Sequence, residues 1–367
     1  MRPVARAFER MNTPRLSFVS ACASVAAILA LTACATAIRP SSDDPDVVEE
    51  QALQQSMSLD RRMTLQRRLD EVAIPILERS AQFCAGNVRA SLGAHIASLW
   101  SFEKEDRAAA GQILHLDDRP TVLWTLDRSQ APATPLRAGD VLVSIGGKSL
   151  PAGDDALDDL DEVLVDASRA KPRKNDGWLD AVVQRDGQST TLRLPYVVAC
   201  NYSAVAQMKG EINAHNDGSK IVVNSALMAF FPDNRDLAIV LGHELAHGAL
   251  SHVGKTRAVG IATGFMDGAL GGTGLAGDAL SAPFSQQFEA EADYLGLYMT
   301  AASGYDIDGA ERTWREFWIH TTGTKTGFTD THPGSAKRFV AMRRTIAEIV
   351  AKKKKGAPLV PDTGSKP

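Results

Sequence analysis

His243, Glu244 and His247 form an H-E-x-x-H inside the helical run 236–250, Asp-Leu-Ala-Ile-Val-Leu-Gly-His-Glu-Leu-Ala-His-Gly-Ala-Leu. Positions i and i+4 of a helix lie one above the other, so both imidazoles face one point, with Glu244 beside it and within reach of a water held there. Two nitrogens and an adjacent carboxylate are the start of a zinc hydrolase centre, in which the metal polarises a carbonyl and the glutamate moves a proton. Such a centre needs a third protein ligand and an open fourth position. The pentapeptide alone arises by chance in roughly one chain of this length in a hundred, so the rest of the chain must supply the specificity.

Downstream, Phe288-Glu289-Ala290-Glu291-Ala292-Asp293 offers carboxylates at helical spacing, with Glu289 and Asp293 again i and i+4. One can bind metal while the other accepts the second N–H of a ligand histidine, and Asp293 suits that outer position. Glu291 is the rival ligand. Two steps along a helix point nearly opposite ways, so only one of Glu289 and Glu291 can face the metal. Further on come Thr331-His332-Pro333 and Arg338.

The ordered set H-E-x-x-H (243–247), E-x-x-x-D (289–293) and H-P-x-x-x-x-R (His332, Pro333, Arg338) resembles the zinc metallopeptidase family of the CAAX prenyl endopeptidases, HtpX, Oma and BepA. Asn213-Ala214 is similar to that family's edge-strand motif, so the likeness spans about residues 205–345. It implies one zinc per chain on His243, His247 and Glu289, with Glu244 as general base and acid. It also implies that His332 acts as an oxyanion stabiliser or a latching fourth ligand, and that Arg338 holds a substrate carbonyl or steadies its loop. The substrate is then an extended peptide laid beside the strand at Asn213.

The elements that position these groups can be read from pattern. The H-E-x-x-H helix follows a capping segment at 232–236 and presents Leu237, Val240, Leu241 and Leu245 as an apolar stripe. A second helical pattern runs from Leu65 to Phe83 with Pro75 as a kink or break. Trp314, Phe317 and Trp318 at helical spacing read as core. Between them Gly260, Gly264, Gly268 and Gly272 recur every four residues, as a mobile or tightly packed lid over the active site or, less readily given Asp267 and Asp278, a membrane-touching segment.

Residues 136–148 (Leu-Arg-Ala-Gly-Asp-Val-Leu-Val-Ser-Ile-Gly-Gly-Lys) resemble the core of a PDZ domain, followed by a helical stretch at 154–170 and a hairpin turning at Asp186-Gly187. The expected architecture is α+β, a mainly helical zincin-like metallopeptidase domain with a small edge sheet and an inserted β-rich PDZ-like domain. Its parts are a signal peptide (1–33), a flexible acidic tether (34–58), an N-terminal helical part (59–94), the insert (95–197), the peptidase domain (198–350) and a disordered tail (351–367).

The N-terminus addresses the compartment. Arg2, Arg6, Arg10 and Arg15 precede an apolar run ending Leu31-Thr32-Ala33-Cys34, which resembles a bacterial lipobox with Cys34 as the lipidated first mature residue. An uncleaved anchor and cleavage near residues 35–37 are the alternatives. All three export the protein, the first to the periplasmic face of the outer membrane. Cys84 and Cys200 then remain as a disulfide pair around the insert. Loss of residues 1–33 removes four arginines and one glutamate, moving the formal charge from −4 to −7, which argues against nucleic-acid partners. The expected function is a zinc endopeptidase acting on misfolded or stalled envelope proteins, anchored to the membrane through its lipid. A chaperone with a latched site and a PDZ adaptor with a vestigial one are the competing readings.

Overall fold

A computed structural model describes residues 40–127, 132–169, 176–252, 254–255, 275–322 and 336–362. The expected signal peptide, Cys34, the four spaced glycines and His332 with Pro333 lie outside the described residues. The chain divides into two units, Met1–Leu53 and Gln54–Pro367.

The stretch expected to be a flexible tether is helical from Pro45. Helix α1 (Pro45–Arg79) starts where Asp44 accepts a hydrogen bond from the Asp46 amide at 3.0 Å. Proline at the first helical position loses no bond there, and the Glu, Gln, Leu and Met that follow are strong helix formers. The helix also runs through Pro75. From Leu59 to Leu77 it buries Leu65, Leu69, Val72, Ala73 and Ile76 in the main core.

A seven-stranded antiparallel sheet comes next, built from β1 (Val88–Ser91), β2 (Ala94–Ala97), β3 (Thr121–Thr125), β4 (Val141–Ile145), β5 (Lys148–Ser149), β6 (Asp176–Arg185) and β7 (Gln188–Cys200). Its order is β1-β7-β6-β4-β3-β2, with β5 paired to β4. Helix α2 (Arg107–Leu114) lies between β2 and β3, and helix α3 (Ala156–Arg169) buries Leu160 and Leu164 against Leu142, Ile145 and Leu194 of the sheet. The hairpin expected at Asp186-Gly187 is present, both residues with positive φ, as a type I′ turn requires. The sheet is wider than the expected insert, because β1 pairs Val88 with Cys200 and Ser91 with Val197. Cys84 and Cys200, with Cα atoms 5.7 Å apart, sit where this sheet joins the rest of the chain, at a separation a disulfide can span.

A smaller sheet carries the centre. It comprises β8 (Ser203–Gln207), β9 (Ala214–Asn216) and β10 (Lys220–Asn224) in the order β8-β10-β9. The turn into β10 is shaped by Asp217, whose carboxylate accepts from the Ser219 and Lys220 amides at 2.8 Å. The Gln66 side chain of α1 closes the outer edge of β8, donating to the Ala204 carbonyl at 2.9 Å and accepting from the Ala206 amide at 2.8 Å. Among the described residues β9 pairs only with β10, so the strand beside Asn213 is the open edge.

The remaining helices are α4 (Ser225–Phe230), α5 (Asn234–Ala249), α6 (Leu275–Ala302), α7 (Ala310–Thr322) and α8 (Ala336–Lys354). Helix α5 is capped by Asp233, whose side chain accepts from the Arg235 amide. The expected stripe of Leu237, Val240, Leu241 and Leu245 is buried, and so is every residue from Leu237 to Ala246. This helix is covered all round rather than amphipathic, which is the condition of a helix at the centre of a core.

Candidate metal centre

Helices α5 and α6 meet backbone to backbone. A Cβ on Gly296 would lie 2.8 Å from the His243 Cα and amide nitrogen, and one on Gly242 would lie 2.7 Å from the Gly296 carbonyl oxygen. Only glycine at both positions permits this approach, and it brings Asp293 and Glu289, one and two turns before Gly296, against His243. On the other side, the Asn216 amide of β9 donates to the Glu244 carbonyl oxygen at 3.0 Å and ties the open-edge strand to the helix.

The expected ligands converge. The two Nε2 atoms of His243 and His247 are 3.0 Å apart, and Glu289 presents one oxygen 3.2 Å from His247 Nε2 and the other 3.5 Å from His243 Nε2. One donor atom from each of these three residues fits within 4.8 Å of the others. Glu244 is buried beside them. Glu291, the rival ligand, points away to Gln287 at 2.7 Å and His252 at 3.1 Å, as two helical steps require.

The far side of each imidazole is held as well. His243 Nδ1 is 3.0 Å from Asp293, the expected outer carboxylate. His247 Nδ1 is 3.0 Å from Nδ1 of His252, a residue the sequence reading did not single out. Helix α5 ends at Ala249, and Ser251 turns the chain with φ 56°, folding His252 back onto the helix it has just left. No spacing rule predicts such a return, because a serine in that backbone region gives no local signal.

Arg338 lies elsewhere than a substrate-facing role needs. Its guanidinium makes a bidentate pair with Asp293, Nε to Oδ2 at 2.7 Å and Nη2 to Oδ1 at 2.8 Å, and places Nη1 3.0 Å from Glu289. It is buried under Trp314, whose ring also contacts His243 at 4.5 Å. A fork matched to a carboxylate is what arginine offers and lysine does not. In this position Arg338 clamps the ligand carboxylate and its neighbour.

The electrostatics follow from these contacts. Burial pulls the His243 imidazole down, but hydrogen bonds to Asp293 and Glu289 outweigh it and hold the pKa above its ordinary value. Burial dominates at His247, which is lowered. Desolvation raises Asp293, yet the Arg338 charge wins and its carboxyl titrates below the ordinary range. His252 is pushed down to about 4 by burial and by the charge of His247, so it is a neutral ring near pH 7.

A dication fits this donor set. In the tautomer with both protons on Nδ1, His243 and His247 turn Nε2 lone pairs toward one point, where a cation would be held by both. Among the described residues three buried carboxylates, Glu244, Glu289 and Asp293, meet one buried cation, Arg338. The excess of two negative charges is what a divalent ion neutralises. Two imidazoles and a carboxylate are zinc donors, with the two-histidine, one-carboxylate composition of catalytic rather than structural sites.

Residues 173–346 match the model of Peptidase family M48. The chain is 28% identical over 171 residues to the mitochondrial metalloendopeptidase OMA1 of Schizosaccharomyces pombe, covering 41% of this chain and 51% of that protein. It is 27% identical over 201 residues to the OMA1 of Arabidopsis thaliana, 51% of this chain and 39% of that one. The metalloprotease LoiP of Escherichia coli K12 is 33% identical over 136 residues, 34% and 54% of the two chains. The chain thus spans about half the length of these curated relatives or less. The convergent histidines and carboxylates, their order along the chain and the family match agree: residues 173–346 are similar to a Peptidase family M48 domain, and within them His243, His247 and Glu289 form a group that could hold a metal ion.

Proposed function

We propose that the protein is a zinc-dependent endopeptidase. The observation that carries this is the convergence of His243 Nε2, His247 Nε2 and Glu289 on one point with Glu244 beside it. Zinc in this cradle supplies Lewis acidity toward a peptide carbonyl and lowers the pKa of a water. Glu244, fixed through its backbone by Asn216, takes the proton from the attacking water and passes it to the leaving amine. No side chain serves as a nucleophile. Arg338 keeps Asp293 ionised and aims both Asp293 and Glu289, so that His243 is held by Asp293 while Glu289 faces the metal point.

The substrate is an extended segment that adds to the outer edge of β9, since Gln66 already occupies the edge of β8. His332 stabilises the oxyanion or latches the site. The seven-stranded module serves as a PDZ-like scaffold beside the peptidase. Its strand-turn pattern at Gly139-Asp140 is supported by the ion pair of the buried Asp140 with the half-buried Arg185 at 2.7 Å. We place the protein in the bacterial envelope as a lipoprotein attached through Cys34, oxidised at Cys84 and Cys200, clearing misfolded or stalled proteins. The lipobox-like segment supports export, and no helix among the described residues is long and apolar enough to cross a membrane.

Digestion of an unfolded protein such as casein tests the activity. Wild type cleaves it, and Glu244→Gln binds zinc equally but does not cleave. Equal cleavage by the two proteins would sink the assignment of Glu244.

A further inference from the structure

The two ligand imidazoles are held from behind by different chemistry. Asp293 backs His243, whereas a second histidine backs His247, with 3.0 Å between His252 Nδ1 and His247 Nδ1 and 3.1 Å between His252 Nε2 and Glu291 Oε2. Two ring nitrogens at that distance share one proton, so one donates and the other accepts. His247 turns Nε2 toward His243 and Glu289. A lone pair on that nitrogen requires the proton on Nδ1, which therefore donates to His252 Nδ1. His252 then carries its own proton on Nε2 and donates it to Glu291.

We propose that His252 is a positioning residue for the metal centre, selecting the metal-binding tautomer of His247, and that Glu291 sets the tautomer of His252 in turn. The inference rests on the zinc reading above. It gives Glu291, excluded as a ligand by its direction, a defined place two shells out. The geometry is held on all sides. His252 is buried, Phe288 stacks on its ring at 4.3 Å with 14° between planes, and Gln287 steadies the other oxygen of Glu291 at 2.7 Å. His252 follows the end of α5 and Glu291 lies within α6, so the pair ties the two helices together as well as orienting a ligand.

The stack on Phe288 allows packing to be separated from hydrogen bonding. His252→Phe keeps the ring and loses the acceptor. His252→Asn keeps an acceptor near the Nδ1 position and loses the ring. Zinc affinity of the purified full chain, measured by competition with a chromophoric chelator, is the readout, beside the visible spectrum of the cobalt-substituted protein. Loss of an outer partner typically weakens metal binding about 10–100-fold. That loss is expected for His252→Phe with an altered cobalt spectrum, and His252→Asn should recover most of it. Glu291→Leu, at a partly exposed position, should weaken binding in the same direction by less, and it carries the test should His252→Phe fail to fold. Wild-type affinity in His252→Phe, or equal loss in the Phe and Asn variants, would overturn the proposal. A wild-type chain without a stoichiometric zinc would instead defeat the reading on which it rests.

Discussion

Replacing Arg338 by Met tests the charge accounting of the centre. The substitution keeps the length of the side chain and deletes a guanidinium that holds Asp293 through two bonds of 2.7 and 2.8 Å and lies 3.0 Å from Glu289. Without metal, the buried site then goes from two excess negative charges to three. Breaking a buried pair by removing one partner costs about 3–5 kcal/mol. At roughly 2–4 °C per kcal/mol for a domain of this size, the metal-free protein should melt roughly 6–20 °C lower. Zinc reduces the penalty, because the loaded variant is left with one unbalanced charge instead of three. Adding Asp293→Asn to Arg338→Met should restore part of the loss, since the carboxylate that most needs the arginine is gone. Thermal unfolding in EDTA and in zinc, followed by circular dichroism, measures all of these. A metal-free Arg338→Met protein that melts with the wild type, or a double variant less stable than the single one, would refute the reasoning.

Acid should shrink that difference. Asp293 titrates below its ordinary 3.8 because of Arg338, so its contribution is complete above about pH 4 and fades as pH falls through the depressed value. The stability gap between wild type and Arg338→Met, measured by urea unfolding at stepped pH without metal, should therefore narrow below pH 4. Gly296→Ala puts a methyl 2.8 Å from the His243 backbone. Overpacking of this kind costs about 1–3 kcal/mol, and by pushing α6 away it should lower zinc affinity as well as the melting temperature. Asn216→Ala removes the side-chain amide that donates to the Glu244 carbonyl oxygen beside its helical partner, costing about 0.5–1.5 kcal/mol in chemical denaturation. Reduction of Cys84 and Cys200, which are 116 residues apart, should destabilise by about 4–5 kcal/mol in the chain-entropy model, read as a thermal shift with and without reductant.

The metal point was legible because its signal is local. His243, Glu244 and His247 lie within one turn and a third of a helix, and Glu289 and Asp293 within another, so helical geometry alone sets each group facing one way. The turn at Asp186-Gly187 and the helix near 156–169 were readable for the same reason. What the sequence did not disclose depends on approach between distant segments. Gly242 and Gly296 look like ordinary helix glycines until the two backbones touch. His252 needs a serine in a left-handed turn to reach His247. Arg338 has the chemistry to grip a substrate carbonyl, and its pairing with Asp293 is decided only by where α8 packs. The edge of β8 reads as open until Gln66, well over a hundred residues earlier, is seen lying along it. The reach of α1 back to Pro45 was hidden by an acidic composition typical of tethers, although Asp44 and Pro45 supply a helix start.

The most direct measurement is an anomalous difference map at the zinc edge from crystals of protein purified without added metal. One peak per chain is expected, about 2.0–2.2 Å from His243 Nε2, His247 Nε2 and a Glu289 oxygen. A map with no peak there, or with zinc on His252 and Glu291 instead, would contradict that expectation.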